Sequence, residues 1–243
     1  MNKSTEYFEK VFSILKEVSV MPEIKSCAQL FAETLKNNKN IYLFGTGHSH
    51  MLAEEMFYRA GGLVNIHPIL ETSLMLHESA AKSTEIERLN GYASVIFEHY
   101  GITEGDTIVI ISNSGRNGVC VDMALLCKSK GVNVVALTSV KHSMSGASRH
   151  PSGKRLCEIA DIVIDNLGCY GDACIRIDEI GRNVSPTSTV VGAAILNAIE
   201  ADCVEILVGQ GIIPDVYSSS NVDGGDEINN AIINAKRGEV RHL

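Results

Sequence analysis

Thr107 to Ile111 are five consecutive β-branched residues, Thr-Ile-Val-Ile-Ile, and they stop abruptly in Ser112-Asn113-Ser114-Gly115-Arg116-Asn117-Gly118. A run that is apolar on both faces fits a strand buried in the middle of a parallel sheet better than a half-exposed one. Val121, Ala124 and Leu125 follow at helical spacing. A strand that runs through a small-residue loop into a helix N-terminus makes an anion site. The first-turn N–H groups have no intrahelical partner, the helix dipole is positive there, and Ser and Asn side chains add hydrogen bonds. The loop contains no lysine, so it suits a phosphate monoester held by neutral donors rather than a nucleoside triphosphate. The alternative is an ordinary strand-to-helix turn with a serine cap.

The 243 residues suffice for one large α/β domain, and 45% hydrophobic with 21% charged residues is ordinary for a globular protein. No apolar run reaches the ~20 residues of a membrane helix. The opening MNKSTEYFEK contains acidic residues and no apolar core, so no secretory signal is expected. The net charge of −8 comes without any Lys/Arg cluster, which argues against nucleic acid as a partner. The seven cysteines are scattered without a CxxC pair. That pattern predicts reduced thiols in the cytoplasm and no structural zinc, with Cys120 and Cys127 sharing a core-facing side of one helix.

Apolar positions from residue 4 to 36 repeat at helical spacing and are divided by Pro22, which predicts two helices or one kinked helix. Ile41 to Phe44 reads as the first strand, Gly45 to His50 as its exit loop, and Met51 to Ala60 as helix. The Gly45-Thr46-Gly47 spacing lets backbone approach a ligand closely. No acidic residue ends a second strand after it, because Val64-Asn65-Ile66 runs into His67-Pro68, so the dinucleotide-binding pattern is incomplete. Further on, Ile86 to Tyr100 predicts helix, Val119 to Lys130 helix stopped at Gly131, Asn133 to Thr138 strand and Asp161 to Asp165 strand. Lys141 to Arg155 reads as a polar loop and Gly168 to Gly181 as irregular. Ser185 is the expected cap of a last long helix with Pro186 at its first position. Val190 to Gly209 is apolar nearly all round, which predicts burial in the fold or at an interface. The tail from Ile212 is polar and lacks periodicity until Ile228 to Lys236. The expected organisation is a single domain: a helical segment at 1–38, an α/β core at 39–210 and a tail at 211–243.

Four motifs in this order carry a resemblance: GTGHS after the first strand, SNSGRN after the central one, NVVALTS one unit later, and SPTSTVVGAAILNA opening the last helix. Together they resemble the SIS (sugar isomerase) family over roughly residues 35 to 210. The resemblance implies an α/β three-layer sandwich with a central parallel sheet, doubly wound like flavodoxin and preceded by long N-terminal helices. It also implies a phosphosugar ligand whose phosphate is gripped by the Ser/Gly loop. GTGHSH followed by AEEM resembles phosphoheptose isomerases, whose catalytic glutamate lies in a similar AEE stretch, whereas the SPTST run is more similar to arabinose-5-phosphate isomerases. Two departures stand out. Phosphoheptose isomerases carry a catalytic histidine on the last helix, and here no histidine occurs between His150 and His242. Their glutamate also lies about one turn further from the loop serine, so Glu55 matches only with a gap. N-acetylmuramate-6-phosphate etherases share the fold, which keeps lyase chemistry open.

On this reading the phosphate ligands are Ser112, Asn113, Ser114, Gly115 and Asn117. Thr46, Gly47, His48 and Ser49 of the first loop, with Thr187, Ser188 and Thr189 of the last helix, contact sugar or phosphate. Aldose–ketose isomerisation needs a base for the proton α to the carbonyl and an acid for the neighbouring oxygen. Glu55 or Glu54 is the candidate base, and His77 and His150 are candidate acids. His48 and His50 beside Glu54 and Glu55 offer a His/carboxylate pattern, but no metal and no organic cofactor are expected. Asp223, Asp226 and Glu227 do not follow an EF-hand order; they would close a neighbouring subunit's site or form a flexible acidic tail. The expectation is a cytoplasmic homodimeric or homotetrameric sugar-phosphate isomerase that binds neither nucleic acid nor membrane. A phosphosugar sensor without chemistry is its rival.

Overall fold

Pro22 opens a new helix instead of kinking one. In the computed structural model, which describes residues 2–243, three residues separate α1 (Lys3–Val18) from α2 (Pro22–Lys36), and Pro22 takes the first helical position, where its missing N–H costs nothing. β1 (Ile41–Gly45) follows, then a 3-10 turn at Gly47–His50 and α3 (Met51–Met56). This helix is shorter than the expected Met51 to Ala60, because Phe57 turns extended and Tyr58 adopts φ 50°. After β2 (Ile66–Pro68), the single helix expected from Ile86 is divided into α4 (Ala80–Ile86) and α5 (Tyr92–Tyr100). Gly91, left-handed at φ 87°, starts the second piece.

β3 (Thr107–Ile111) and α6 (Gly118–Ser129) are the central strand and the helix after its loop. β4 (Asn133–Thr138) leads into α7 (Val140–Met144), a short helix inside the stretch expected to be loop, and β5 (Ile162–Asp165) closes the sheet. All five strands pair in parallel in the order β2-β1-β3-β4-β5, the flavodoxin-like order with its switch point between β1 and β3. The β3 run is apolar on both faces because both are covered. Val109 and Ile111 belong to the core beneath α2 and the last long helix, whereas Ile108 and Ile110 belong to the core beneath α5 and α6. This is the three-layer α/β sandwich that the motifs implied.

The segment expected to be irregular contains a hairpin, β6 (Ala173–Ile177) paired antiparallel with β7 (Arg182–Pro186). Ser185 and Pro186 therefore lie in a strand, and the long helix α8 (Ser188–Gly209) begins with Thr187 at its cap. The local cap-and-proline signal lost to strand pairing across the hairpin. The tail carries α9 (Gly225–Lys236). Among the described residues no helix is long and apolar enough to cross a membrane.

Candidate functional site

The C-terminal ends of β1, β3 and β4 meet the start of α8 at one edge of the sheet, the place where open parallel sheets bind ligands. Gly45 ends β1, and a Cβ there would lie 2.6 Å from the carbonyl carbon and oxygen of Ser49. Only glycine allows the Gly47–His50 turn to fold back onto the strand end and set Ser49 above the sheet. At the β3 exit, Gly115 has φ 58°, its N–H donates to Ser112 Oγ at 3.1 Å, and an added Cβ would lie 3.0 Å from Ser143 Oγ. The loop is thus a tight turn closed on its first serine.

Asn113 ties this loop to its neighbours. Its carbonyl accepts from Ser139 N at 3.2 Å, and its Oδ1 accepts from Asn166 Nδ2 at 2.9 Å. Asn166 is buried, and its own Oδ1 accepts from Gly168 N at 2.9 Å. Ser49, Asn113, Asn166, Ser188 and Thr189 line a cleft whose apolar floor is Leu52, Ile111 and Leu137. The floor encloses about 10 Å³, room for about one water, so any larger ligand group sits above it.

Asn117 and Thr46 are tied together by a residue that the sequence reading did not single out. Glu87, just past α4, accepts from Asn117 Nδ2 at 2.8 Å on one oxygen and from Thr46 Oγ1 at 2.7 Å on the other. Its carbonyl accepts from Val119 N at 3.1 Å in the first turn of α6. Arg149 donates from Nη1 to Asn117 Oδ1 at 2.8 Å. The side chains of Thr46 and Asn117 are engaged in joining the two loops, and the carboxylate of Glu87 is the clasp. The neighbourhood also carries more positive charge than the lysine-free loop suggested. Arg116 and Arg149 stand close enough to His142 to reinforce the lowering of its pKa by burial. The Arg116 Nε is buried without a hydrogen-bond partner among the described residues.

At the start of α8 the hydroxyl cluster meets an acid. Asp172, in a left-handed conformation at φ 66°, accepts the N–H groups of Thr187 at 3.1 Å and Ser188 at 3.0 Å on Oδ1, and the Ser188 hydroxyl on Oδ2. A carboxylate on the first N–H groups of a helix is the favourable sign for its dipole. Asp172, not Ser185, is the cap.

The remaining candidates are dispersed. Glu55 Oε1 pairs with Arg59 and accepts from Asn197 Nδ2 of α8 at 3.0 Å. Glu54 is exposed and faces His50 Nδ1 at 3.4 Å. His50 itself is 3% exposed, and its Nε2 has no partner among the described residues. Burial lowers its pKa, while Glu54 works in the opposite direction. His77 is exposed but near enough to His50 to add to that lowering. His150 lies on the α6 side, with Nε2 2.7 Å from Asp122 Oδ1 and Nδ1 2.8 Å from Ser152 Oγ. His48 is exposed, as are Asp223, Asp226 and Glu227. Among the described residues no three His, Cys, Asp or Glu side chains converge as metal ligands.

A family model for the SIS domain matches residues 6–139. A UPF0309 protein of Thermoanaerobacter pseudethanolicus is 42% identical over 244 residues, covering 98% of this chain and 99% of the relative. One of Listeria innocua is 46% identical over 210 residues, covering 86% and 85%. Among solved structures, a phosphoheptose isomerase from Francisella tularensis aligns with a TM-score of 0.52 at 18% identity, over 83% of this chain and 96% of that one. One from Neisseria gonorrhoeae aligns at 0.51 and 17%, over 85% and 97%. At those identities the likeness is one of fold.

Proposed function

This chain belongs to the SIS domain family, and from that membership we propose that it binds a sugar phosphate at the sheet edge and interconverts its aldose and ketose forms. The observation that carries the binding half is convergence. Ser49, Asn113 and the Ser188–Thr189 pair come from three separate stretches of chain and face one small cleft, beside the Ser112–Gly115 turn and near two arginines. The phosphate would be held by the 112–117 turn, with Ser112 and Ser114 as side-chain donors and Arg116 and Arg149 supplying the charge that neutral donors lack. Glu55 is the candidate base, on the helix that leaves the first loop. We further propose a single domain that acts as a homo-oligomer in the cytoplasm, without organic cofactor or nucleic acid. The stacked and exposed Phe8 and Phe12 of α1, with ring centroids 6.1 Å apart, are the surface that would meet a second copy.

One observation favours the rival, a sensor that binds without turnover. The Oε1 of Glu55 is already engaged by Arg59 and Asn197, so that oxygen is not free to take a substrate proton. Thermal-shift measurements with pentose, hexose and heptose phosphates, each beside the free sugar, test the binding half. A ligand at a hundred times its Kd adds ~2.7 kcal/mol of stability. Phosphate-dependent stabilisation that is lost in Ser112→Ala/Ser114→Ala is the expected result. Equal stabilisation of that double variant would place the phosphate elsewhere. For turnover, Glu55→Gln is expected to bind and fail to isomerise.

A further inference from the structure

Below the cleft, α3 and α8 continue side by side. Gly192 sits so close that a Cβ there would be 2.5 Å from Leu52 Cδ1. Past the end of α3, the 59–61 segment and α8 border a second, larger pocket of about 350 Å³, lined by Arg59, Asn197, Glu200 and Val204. Glu200 is an unusual occupant of a helix whose buried side is otherwise valine, isoleucine, leucine and cysteine. It is 5% exposed, and its Oε1 accepts the Leu63 N–H at 2.6 Å. Burial raises its pKa, with the neighbouring Glu55 adding to the rise, while the Leu63 N–H and the Arg59 guanidinium oppose it. Cys203, one turn on, is the other titratable group it influences, and that thiol is pushed up to about 12, so it stays neutral. Two carboxyls thus flank one arginine. Glu55 is hydrogen-bonded to Arg59 and Asn197, both of which line the pocket, and Glu200 is buried in its wall, where burial favours the protonated form. The arrangement sets a proton donor and a carboxylate acceptor around one arginine.

We infer that Glu200 is the proton-transfer partner of Glu55, and that the pocket between the 59–61 segment and α8 holds the carbonyl end of the sugar. This rests on the sugar-phosphate reading above. Glu55 takes the proton from the carbon α to the carbonyl as the Glu200 carboxyl gives its proton to the carbonyl oxygen, leaving a neutral enediol. The Glu200 carboxylate then takes the proton from the neighbouring hydroxyl, while Glu55 returns its proton to the former carbonyl carbon. Both side chains end as they began, and the sugar has moved its carbonyl by one carbon. Eight residues of α8 separate Thr189 at the cleft from Asn197 at the pocket, about 12 Å along the axis. A ligand that reaches both is therefore an open-chain sugar phosphate of six or seven carbons, not a triose phosphate.

The test is solvent-deuterium exchange at the carbon α to the carbonyl, read by proton NMR. The probes are fructose 6-phosphate, sedoheptulose 7-phosphate and dihydroxyacetone phosphate, with affinities measured by calorimetry. Glu200→Gln keeps an oxygen for the Leu63 N–H but cannot exchange a proton, so a purely structural role survives it. Wild type is expected to exchange one of the two longer probes. Glu200→Gln and Glu55→Gln should each slow that exchange at least a hundredfold while keeping affinity within threefold, and Glu205→Gln on the exposed side of α8 should match wild type. Exchange in Glu200→Gln within threefold of wild type overturns the assignment, and so does exchange confined to dihydroxyacetone phosphate. Binding without any exchange in wild type overturns it too, yet leaves the phosphate-binding reading standing. Absence of binding to all three probes removes both.

Discussion

Removing the Asp172 carboxylate should weaken the protein by an amount the geometry lets one order in advance. The side chain receives two backbone N–H groups and one hydroxyl at the start of α8, a helix that packs on α2, α3 and the sheet. Loss of an N-cap to alanine costs ~1 kcal/mol, within ~0.5–2, and loss of negative charge at a helix N-terminus ~0.3–1 kcal/mol more. Alanine would also inherit the left-handed φ of 66°, a conformation that asparagine and glycine tolerate better. Asp172→Ala should therefore cost about 2–3 kcal/mol. Asp172→Asn keeps the Oδ1 acceptor and loses the charge, while the Ser188 hydroxyl must turn to accept from Nδ2 where it donated to Oδ2, about 0.5–1 kcal/mol. Asp172→Gly should fall between them, because it loses the cap but relieves the backbone. For a chain of this size 1 kcal/mol moves Tm by roughly 2–4 °C, so thermal melting should order the series as wild type, Asn, Gly, Ala, with alanine about 5–10 °C down. Freed N–H groups should also accept an anion, so added sulfate should stabilise the alanine variant more than wild type. An alanine variant within about 0.5 kcal/mol of wild type, or one more stable than the glycine variant, would refute the cap and its strain.

A Cβ at Gly118 would meet Asn90 Oδ1 at 2.7 Å and the carbonyl oxygens of Arg88 and Leu89 at 2.9 Å. Gly118→Ala should cost about 1–3 kcal/mol as overpacking and weaken sugar-phosphate binding, because the 87–90 segment that must shift carries Glu87; unchanged Tm and affinity would deny the clasp its role. Burial pushes the thiols of Cys120, Cys127 and Cys203 up to about 12, while Cys157, Cys169 and Cys174 are only partly buried. Alkylation by iodoacetamide at pH 8, followed by peptide mass spectrometry, should mark the second set first, and early labelling of Cys120 would contradict the closed packing behind the 112–117 turn. His67 is 5% exposed against Tyr42, and burial lowers its pKa to about 4. The unfolded chain binds this proton more readily than the folded one, so the stabilising contribution is complete above about pH 6.5 and is lost as pH falls to about 4. The loss amounts to roughly 3 kcal/mol at 1.36 kcal/mol per pH unit. Urea titrations between pH 7 and 4 should show it, and His67→Phe should flatten that limb.

The parts of this molecule that were legible in its sequence are those set by neighbours along the chain. The β3 run carries its two-faced burial in its composition, and each strand-to-loop transition is marked by glycine and small hydroxyl residues at the point where backbone must approach backbone. The start of α8 shows where that logic ends. Ser185-Pro186 is a sound local helix opening, yet Val184 pairs with Ile175 and Pro186 with Ala173 across the hairpin, and the cap comes from Asp172, fifteen residues upstream. Glu87 is equally silent in sequence. It sits at the C-terminal end of a short helix, and nothing local says that its two oxygens will join residues 41 positions before it and 30 after it. Arg149 reaches Asn117 of the 112–117 turn across a similar separation.

The absence of lysine in the loop therefore understates its charge, since Arg116 lies within it and Arg149 arrives from elsewhere in the chain. Likewise, the missing last-helix histidine weakens the isomerase reading only if the proton donor must be an imidazole. Burial can bring a carboxyl into the same range, and the signal for that was present but faint: one glutamate, Glu200, on the apolar side of a helix where every other buried position is hydrophobic or glycine. An isolated charge on a buried face costs several kcal/mol unless it is neutralised or paired. Such a residue is the one to question first when a fold retains its phosphate turn and lacks its expected base or acid.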